Sequence, residues 1–249
     1  IEFTTQGLKS NSRRCQNFIK ISLVLWCKYK TLKRNKKYSL FWVGFVSIFL
    51  IFIFGCSSNN KIDSQHVFRL NIHENINTLD PAYARDLRSI WAMNQIFNGL
   101  VRLDDELNIR PDIATHWEIS EDAKTYLFYL RDDVYFHRSE IFGDQKTRVV
   151  TASDFVYSFD RIKDKKIASP GLWTLESVKH YEAVDDNTLK IELIHPFSPF
   201  LEILSMKYLS VLPKELDDLP NNTISSKPIG TGPFYVKAWM QNLKMVLRK

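Results

Sequence analysis

Cysteine is scarce in this chain of 249 residues, which contains only Cys15, Cys27 and Cys56. No cysteine follows Cys56, so the rest of the chain can form neither an internal disulfide nor a cysteine-ligated metal site. Its stability must come from a hydrophobic core instead. About 190 residues lie in this part, which is long enough to bury such a core.

The part that begins at Cys56 also lacks an excess of basic residues, although the whole chain has a formal net charge of +6. Ten of the 34 Lys and Arg residues, but only Glu2 among the 28 Asp and Glu residues, precede Cys56. The remaining 24 basic and 27 acidic residues have a net charge of −3. Nucleic-acid binding needs clustered basic residues on the folded body, so we expect no nucleic-acid partner.

Motifs of nucleophilic and metal-dependent catalysis are missing as well. The chain has no G-x-S-x-G and no H-E-x-x-H sequence. Its six histidines show no metal-ligand spacing; they are His66, His73, His116, His137, His180 and His195. We therefore expect a protein that is not an enzyme and that uses no metal or cofactor.

One long apolar run is present, at residues 38–54, and it ends at Gly55 and Cys56. The basic sequence KRNKK precedes it at residues 33–37, and polar residues follow it. This order is typical of a lipoprotein signal peptide, whose basic residues stay in the cytoplasm while the apolar run enters the membrane. It predicts a signal peptide at residues 32–55, lipidation of Cys56 and a tether at residues 56–65.

A transmembrane helix is the alternative interpretation of the apolar run. Its 17 residues reach the lower end of the ~17–25 that are needed to span a bilayer. A spanning helix, however, gives no reason for a cysteine at its boundary.

Methionine is absent before Met93, although a signal peptide normally begins a protein. Residues 1–31 are therefore predicted to be upstream read-through, with translation starting near Leu32. An unusually long basic leader is the alternative.

Hydrophobic periodicity predicts an α+β fold for the rest of the chain. Alternating apolar residues predict a strand at residues 68–72, and β-rich runs bounded by turns predict strands at 100–103, 125–130, 180–184 and 188–193. Apolar residues on one helix face predict helices at residues 89–100 and 155–162, the second of them capped by Thr151 and Asp154. Pro199 in a first turn predicts a third helix at residues 197–204. Residues 111–117 are predicted to form a turn or short helix. Residues 134–136 are predicted to form a hairpin with residues 125–130.

Six short sequences resemble, in order and spacing, those of the bacterial extracellular solute-binding proteins of family 5. They are TLDP at 78–81, IFNGLVRL at 96–103, RPDIATHWEIS at 110–120, YLFYLRDDVYF at 126–136, VTASDFVYSFDR at 150–161 and GTGPF at 230–234. Each motif is weak evidence alone, but six in this order and spacing are strong evidence. Together they cover about residues 68–249. The chain departs from the family in its long, charged loop at residues 137–149 and in stopping at Lys249, where members continue.

The resemblance implies a periplasmic-binding-protein-like two-lobe fold of type II, cluster C. Residues 66–96 and 212–249 would form part of lobe I, and residues 97–211 a sub-domain inserted into it. The second lobe would be absent, so that the sequence would be a fragment.

The resemblance also implies a function. The protein would be the substrate-binding lipoprotein of an ABC importer, which captures dipeptides or oligopeptides outside the cytoplasmic membrane and delivers them to the permease. A nickel chelate, haem or another small solute is the alternative ligand. We expect a monomer in the cell envelope, lipid-anchored to a membrane and facing the periplasm or the exterior.

Two segments correspond to those that approach the ligand in the family. One is residues 83–87, from which Arg85, Asp86 and Leu87 are candidate ligand contacts. The other is the loop at residues 168–173, from which Trp173 is the candidate. A role in packing or in a surface loop is the alternative for all four.

The remaining motif residues have structural interpretations. The glycines of GTGPF are expected to adopt unusual backbone angles in a structural turn, with ligand contact as the alternative. Trp117 and Phe128 are expected to be core aromatics. Arg131 and Arg161 are expected to pair with nearby acidic residues rather than with a ligand.

Overall fold

The computed structural model describes residues 2–4, 67–71, 75–219 and 223–249. The predicted signal peptide, Cys56 and the tether lie outside these residues. The strands are β1 Glu2–Thr4, β2 Arg69–Asn71, β3 Val101–Leu103, β4 Ile109–Pro111, β5 Ala114–Ile119, β6 Thr125–Leu130, β7 Val178–Ala183, β8 Thr188–Leu193, β9 Tyr235–Met240 and β10 Lys244–Arg248. The α-helices are α1 Leu87–Ile96, α2 Ala152–Lys163, α3 Phe200–Leu204 and α4 Thr223–Ser226.

The main sheet is antiparallel, with strand order β5-β6-β8-β7, and one of its faces is apolar and buried. Alternate residues of β6 and β8 are buried, because successive side chains in a strand point to opposite faces. Phe128 lies opposite Leu189, and Tyr126 opposite Ile191. The α+β prediction and the predicted hairpin of β7 and β8 are confirmed here.

Helix α2 packs against this sheet. Asp154 caps its first turn, since the Thr151 N–H donates to Asp154 Oδ2 at 2.8 Å, as the sequence predicts. Phe155 and Phe159 are buried on one helix face. The Phe159 ring meets Tyr181 of β7 edge-on, with 5.3 Å between ring centroids. These aromatic contacts fix α2 on the sheet, and α2 ends beside the candidate site.

The other strands form a two-stranded sheet and a second four-stranded sheet. Strands β3 and β4 pair antiparallel, whereas β2, β1, β10 and β9 lie side by side in that order. Strand β1 is parallel to β2 and antiparallel to β10. Among the described residues, none of the helices has the length and apolar character that crossing a membrane requires.

Helix α1 differs in its bounds from the predicted residues 89–100. It begins at Leu87, because the Asp86 carboxylate accepts the Ser89 N–H at 2.9 Å and caps the first turn. It ends at Ile96, because Phe97 is extended, with φ −123° and ψ 145°. The periodic apolar residues after Ile96 pack in the core from an extended chain, so periodicity alone overestimated the helix.

Two predictions of local structure are wrong. Residues 111–117 form no helix; they contribute to β4 and β5, because Trp117 pairs with Phe128 at the edge of the main sheet. Residues 134–136 do not pair with β6, since β5 and β8 occupy both of its edges. Tyr135 instead makes an isolated bridge with Val149.

The glycines of GTGPF are required for close packing rather than for unusual backbone angles. Neither Gly230 nor Gly232 has a positive φ, which corrects the expectation from the sequence. A Cβ on Gly230 would lie 2.0 Å from the Ile96 carbonyl oxygen, and one on Gly232 would lie 2.6 Å from the Ile96 carbonyl carbon. The turn therefore lies directly against the end of α1.

We predict that Gly230→Ala destabilises the protein by about 1–3 kcal/mol, because the new methyl group would displace backbone at Ile96. The matched control is Gly99→Ala, whose Cβ would meet its nearest atom at an ordinary 3.5 Å. Urea unfolding followed by circular dichroism measures both. Equal losses in the two variants would contradict the close-packing explanation.

Candidate functional site

A buried ion pair supports the first candidate segment. Arg161, near the end of α2, donates from Nη1 to Asp80 Oδ1 at 2.8 Å and from Nη2 to Oδ2 at 2.6 Å. The side chains are 5% and 0% exposed. The sequences TLDP and VTASDFVYSFDR therefore meet in space, although 81 positions separate the two residues. The expectation that Arg161 and Arg131 pair with acids is confirmed, since Arg131 pairs with Asp133 at the surface.

The chain after Asp80 turns sharply toward α1. Residues Pro81–Tyr83 form a 3₁₀ turn, whose first N–H groups need partners. Asp80 supplies one, because its Oδ1 accepts the Ala82 N–H at 3.0 Å. One carboxylate thus both pairs with Arg161 and caps the turn that leads to Arg85.

The second candidate segment is bonded directly to the first. The Ser169 hydroxyl donates to the Ala82 carbonyl at 2.6 Å, and the Tyr83 hydroxyl donates to the Ile167 carbonyl at 2.7 Å. Gly171 lies flat against Tyr208, where a Cβ would come within 2.4 Å of the ring. We refer to residues 81–87 and 167–173 together as the two-segment surface.

Large apolar side chains are exposed on this surface and on the helix that continues it. Leu87 is 59% exposed and Trp173 46% exposed. Trp91, four residues after Leu87 on α1 and therefore on the same helix face, is also exposed, as is Leu172. An exposed group of this kind on neighbouring segments is typical of a surface that binds a ligand or another part of a protein.

The four predicted contact residues have different environments. Arg85, Leu87 and Trp173 have exposed side chains, and their segments are adjacent. Burial raises the pKa of the nearby Tyr208 hydroxyl, and the positive charge of Arg85 opposes that rise. Asp86 caps α1: partial burial raises its pKa, but hydrogen bonds from Ser89 and Asn77 lower it below the ordinary value. The Asp86 carboxylate is thus committed to the helix.

A second ionic cluster was not foreseen from the sequence. Arg148 donates to Asp154 at 2.6 and 2.7 Å, and to Glu215 at 2.6 Å and 2.5 Å. Burial lowers the pKa of Arg148, but the hydrogen bonds that it donates to the two carboxylates outweigh this effect and raise the pKa. The only sequence signal was the long, charged loop at residues 137–149, which supplies Arg148 to the start of α2.

His137 begins the same loop and binds the GTGPF turn. Its Nδ1 accepts the Gly230 N–H at 3.3 Å, and its Nε2 lies 2.8 Å from the Gly232 carbonyl oxygen. Only the neutral ring with its hydrogen on Nε2 can make both bonds. Burial lowers the pKa of His137, and the bond to Gly232 offsets this only in part.

Within the described part of the chain, no His, Cys, Asp and Glu side chains are grouped so as to hold a metal ion. The arrangement is instead an exposed apolar and cationic surface that can contact the side chains and the negative groups of a bound molecule.

Comparison with known proteins defines the class first. The structure resembles the periplasmic binding protein DppA from Helicobacter pylori, solved with the peptide STSA, with a TM-score of 0.62 and 35% identity over 69% of this chain and 36% of that one. Residues 108–249 match the model of the bacterial extracellular solute-binding proteins, family 5 Middle. The chain therefore belongs to the bacterial extracellular solute-binding proteins of family 5.

Two curated relatives extend this comparison. The dipeptide-binding protein of Escherichia coli (strain K12) is 34% identical over 60% of this chain and 31% of its own length. Heme-binding protein A of Haemophilus influenzae is 36% identical over 56% of this chain and 28% of its own length. The chain spans about a third of the length of these relatives.

We predict that Arg161→Met destabilises the protein by about 3–5 kcal/mol, because it leaves the Asp80 carboxylate buried without its partner. Arg131→Met is the matched control; its pair with Asp133 is solvated, so little loss is expected. Guanidinium unfolding monitored by tryptophan fluorescence measures the difference. Similar midpoints for the two variants would mean that the buried pair adds nothing to stability.

We predict that His137 makes stability depend on pH. The folded state disfavours the charged ring, so the unfolded state binds more protons below about pH 6.5. The free energy of unfolding should be fully maintained above that pH and should fall as the pH drops below it, toward the lowered pKa of the folded state. His137→Gln should flatten this profile, whereas His195→Gln, at an exposed position, should not. Parallel profiles for the two variants would contradict a neutral His137 ring in the folded state.

Proposed function

We propose that this protein is the substrate-binding component of an ABC importer that captures dipeptides or oligopeptides outside the cytoplasmic membrane and delivers them to the permease. The observation that carries the proposal is the likeness to a binding protein solved with a bound peptide, at 35% identity over 69% of this chain. The dipeptide-binding relative supports the same ligand class.

The physical requirements of peptide capture suit the two-segment surface. A buried peptide must have its N–H and C=O groups satisfied, which an extended protein backbone or ordered water can do for any sequence. Leu87 and Trp173 offer apolar contacts to side chains. Arg85 offers a positive charge to a carboxylate. A second lobe, present in the family beyond the matched region, would close over the other side of the peptide.

A haem or a nickel chelate is the second candidate ligand. The specific support for haem is the 36% identity to heme-binding protein A. The two-segment surface would contact either ligand through the same exposed apolar residues. Which ligand binds would then depend on residues that correspond to the remaining two thirds of the relatives' length.

The proposed location is the cell envelope, with the protein held to a membrane through acyl chains on Cys56 and acting as a monomer. Each buried CH₂ group of an acyl chain contributes ~0.8 kcal/mol, so two or more chains give stable anchoring. The assignments of residues 66–96 and 212–249 to lobe I and of residues 97–211 to an inserted sub-domain remain predictions.

We predict that Cys56→Ser abolishes lipidation and processing. Without the thiol there is no site for the diacylglyceryl group, so the variant should incorporate no labelled palmitate and should keep residues 32–55, which makes it larger on a denaturing gel. Ser58→Ala, in the predicted tether, is the matched control and should be labelled and processed as the unaltered protein is. An unaltered protein that takes up no label and is not cut before Cys56 would support the spanning-helix alternative.

We predict that residues 56–249 alone bind mixed di- to pentapeptides more weakly than micromolar, whereas the complete gene product binds them at micromolar affinity or tighter. A single lobe leaves peptide charges and amides in water, so little net free energy is gained. Calorimetry measures both affinities.

In the complete product Leu87→Ala should weaken binding, and the exposed control Leu243→Ala should not. Micromolar binding by residues 56–249 would contradict the two-lobe mechanism, and binding of haem without peptide would select the alternative.

A further inference from the structure

The two segments of the two-segment surface lie far apart in sequence, yet they share one hydrogen-bonded junction. That junction is Ala82, which is 2% exposed. Its N–H donates to Asp80 Oδ1 at 3.0 Å, and its carbonyl accepts the Ser169 hydroxyl at 2.6 Å. The peptide N–H of Ala82 is thus fixed by Asp80, just before the first segment, and its carbonyl is fixed by Ser169 of the second segment.

The first side of this junction is anchored in the core. Asp80 is held by both terminal nitrogens of Arg161, and a bidentate pair fixes orientation as well as distance. Arg161 extends from α2, whose Phe155 and Phe159 are buried against the main sheet. The position of Ala82 is therefore set by the packed core.

The second side of the junction organises its own loop. Ser169 Oγ accepts the Gly171 N–H at 3.0 Å, so a single hydroxyl bonds Ala82 and shapes the turn before Trp173. The Gly171 carbonyl in turn accepts the Thr174 hydroxyl at 2.7 Å. The contact of Gly171 with Tyr208 leaves no room for the loop to move inward.

We propose that Asp80, Arg161 and Ser169 are positioning residues that hold both segments as one rigid unit, so that Arg85 and Trp173 are presented to the ligand at a fixed separation. This inference rests on the proposed function for the identity of the bound molecule. A surface ordered before binding loses less conformational freedom when the ligand arrives, which increases affinity without any new contact. Ser169 then affects binding although it is buried and touches no ligand.

Hydrogen exchange with mass spectrometry tests the coupling without a ligand. Ser169→Ala should accelerate exchange about five- to tenfold not only at Gly171 but also at Ala84 and Arg85, in the other segment. Arg161→Lys, which keeps the charge but loses the bidentate geometry, should accelerate exchange across residues 168–175. The matched control is Ser205→Ala, which loses a hydroxyl bonded to the Glu202 carbonyl at 2.6 Å and should change neither segment.

The coupling would be overturned if each variant changed exchange only locally, at Gly171 in Ser169→Ala and at residues 80–83 in Arg161→Lys.

The second measurement is the affinity of the complete gene product for the tetrapeptide STSA. Ser169→Ala should weaken it about five- to tenfold in buffer without urea, where circular dichroism checks that the variant is still folded. Unchanged affinity would overturn the positioning role. If the variants show the coupled exchange but the unaltered protein binds neither STSA nor other peptides, the coupling is supported and the proposed peptide function is the part that fails.

Discussion

The ion pair of Asp80 with Arg161 connects the core of this protein to its exposed surface. Both side chains are buried, so each depends on the other for its hydrogen bonds, and neither can be lost alone without a large cost. The pair joins the last turns of α2 to the chain just before α1. Because Asp80 also caps the 3₁₀ turn at Pro81–Tyr83, the backbone that leads to Arg85 and Leu87 starts from a fixed point. The loop with Trp173 is attached to that turn in its own right, through Ser169 and Tyr83.

The opposite end of α1 is fixed by shape rather than by charge. Gly230 and Gly232 bring the GTGPF turn against Ile96, and His137 bonds both glycines. Helix α1 is therefore held at its start by the cap at Asp86 and at its end by a close backbone contact. A helix held at both ends can present Leu87 and Trp91 in a constant orientation, which suits a binding surface better than a mobile loop would.

Much of the local structure could be predicted from the sequence. The apolar alternation of β6 and β8 and the capping pair Thr151 and Asp154 depend on neighbours a few residues away, and those predictions were confirmed. Residues 111–117 and 134–136 were misassigned. Trp117 pairs with Phe128 and Tyr135 with Val149, and no periodic pattern in either segment identifies these partners. Helix α1 was predicted too long, since an apolar pattern shows that residues are buried but not that they are helical.

The sequence by itself determined the class of this protein, because the six ordered motifs are a property of the chain alone. It also singled out Arg85, Asp86, Leu87 and Trp173 as candidate contacts. Only the tertiary structure decided that Asp86 caps a helix while the other three are exposed, and that Arg148 bonds Asp154 and Glu215. Long-range pairs such as Asp80 with Arg161 leave no periodic trace in a single sequence, since nothing local specifies which of many acids a buried arginine will meet. The packing of α2 on the main sheet decides which acid Arg161 meets.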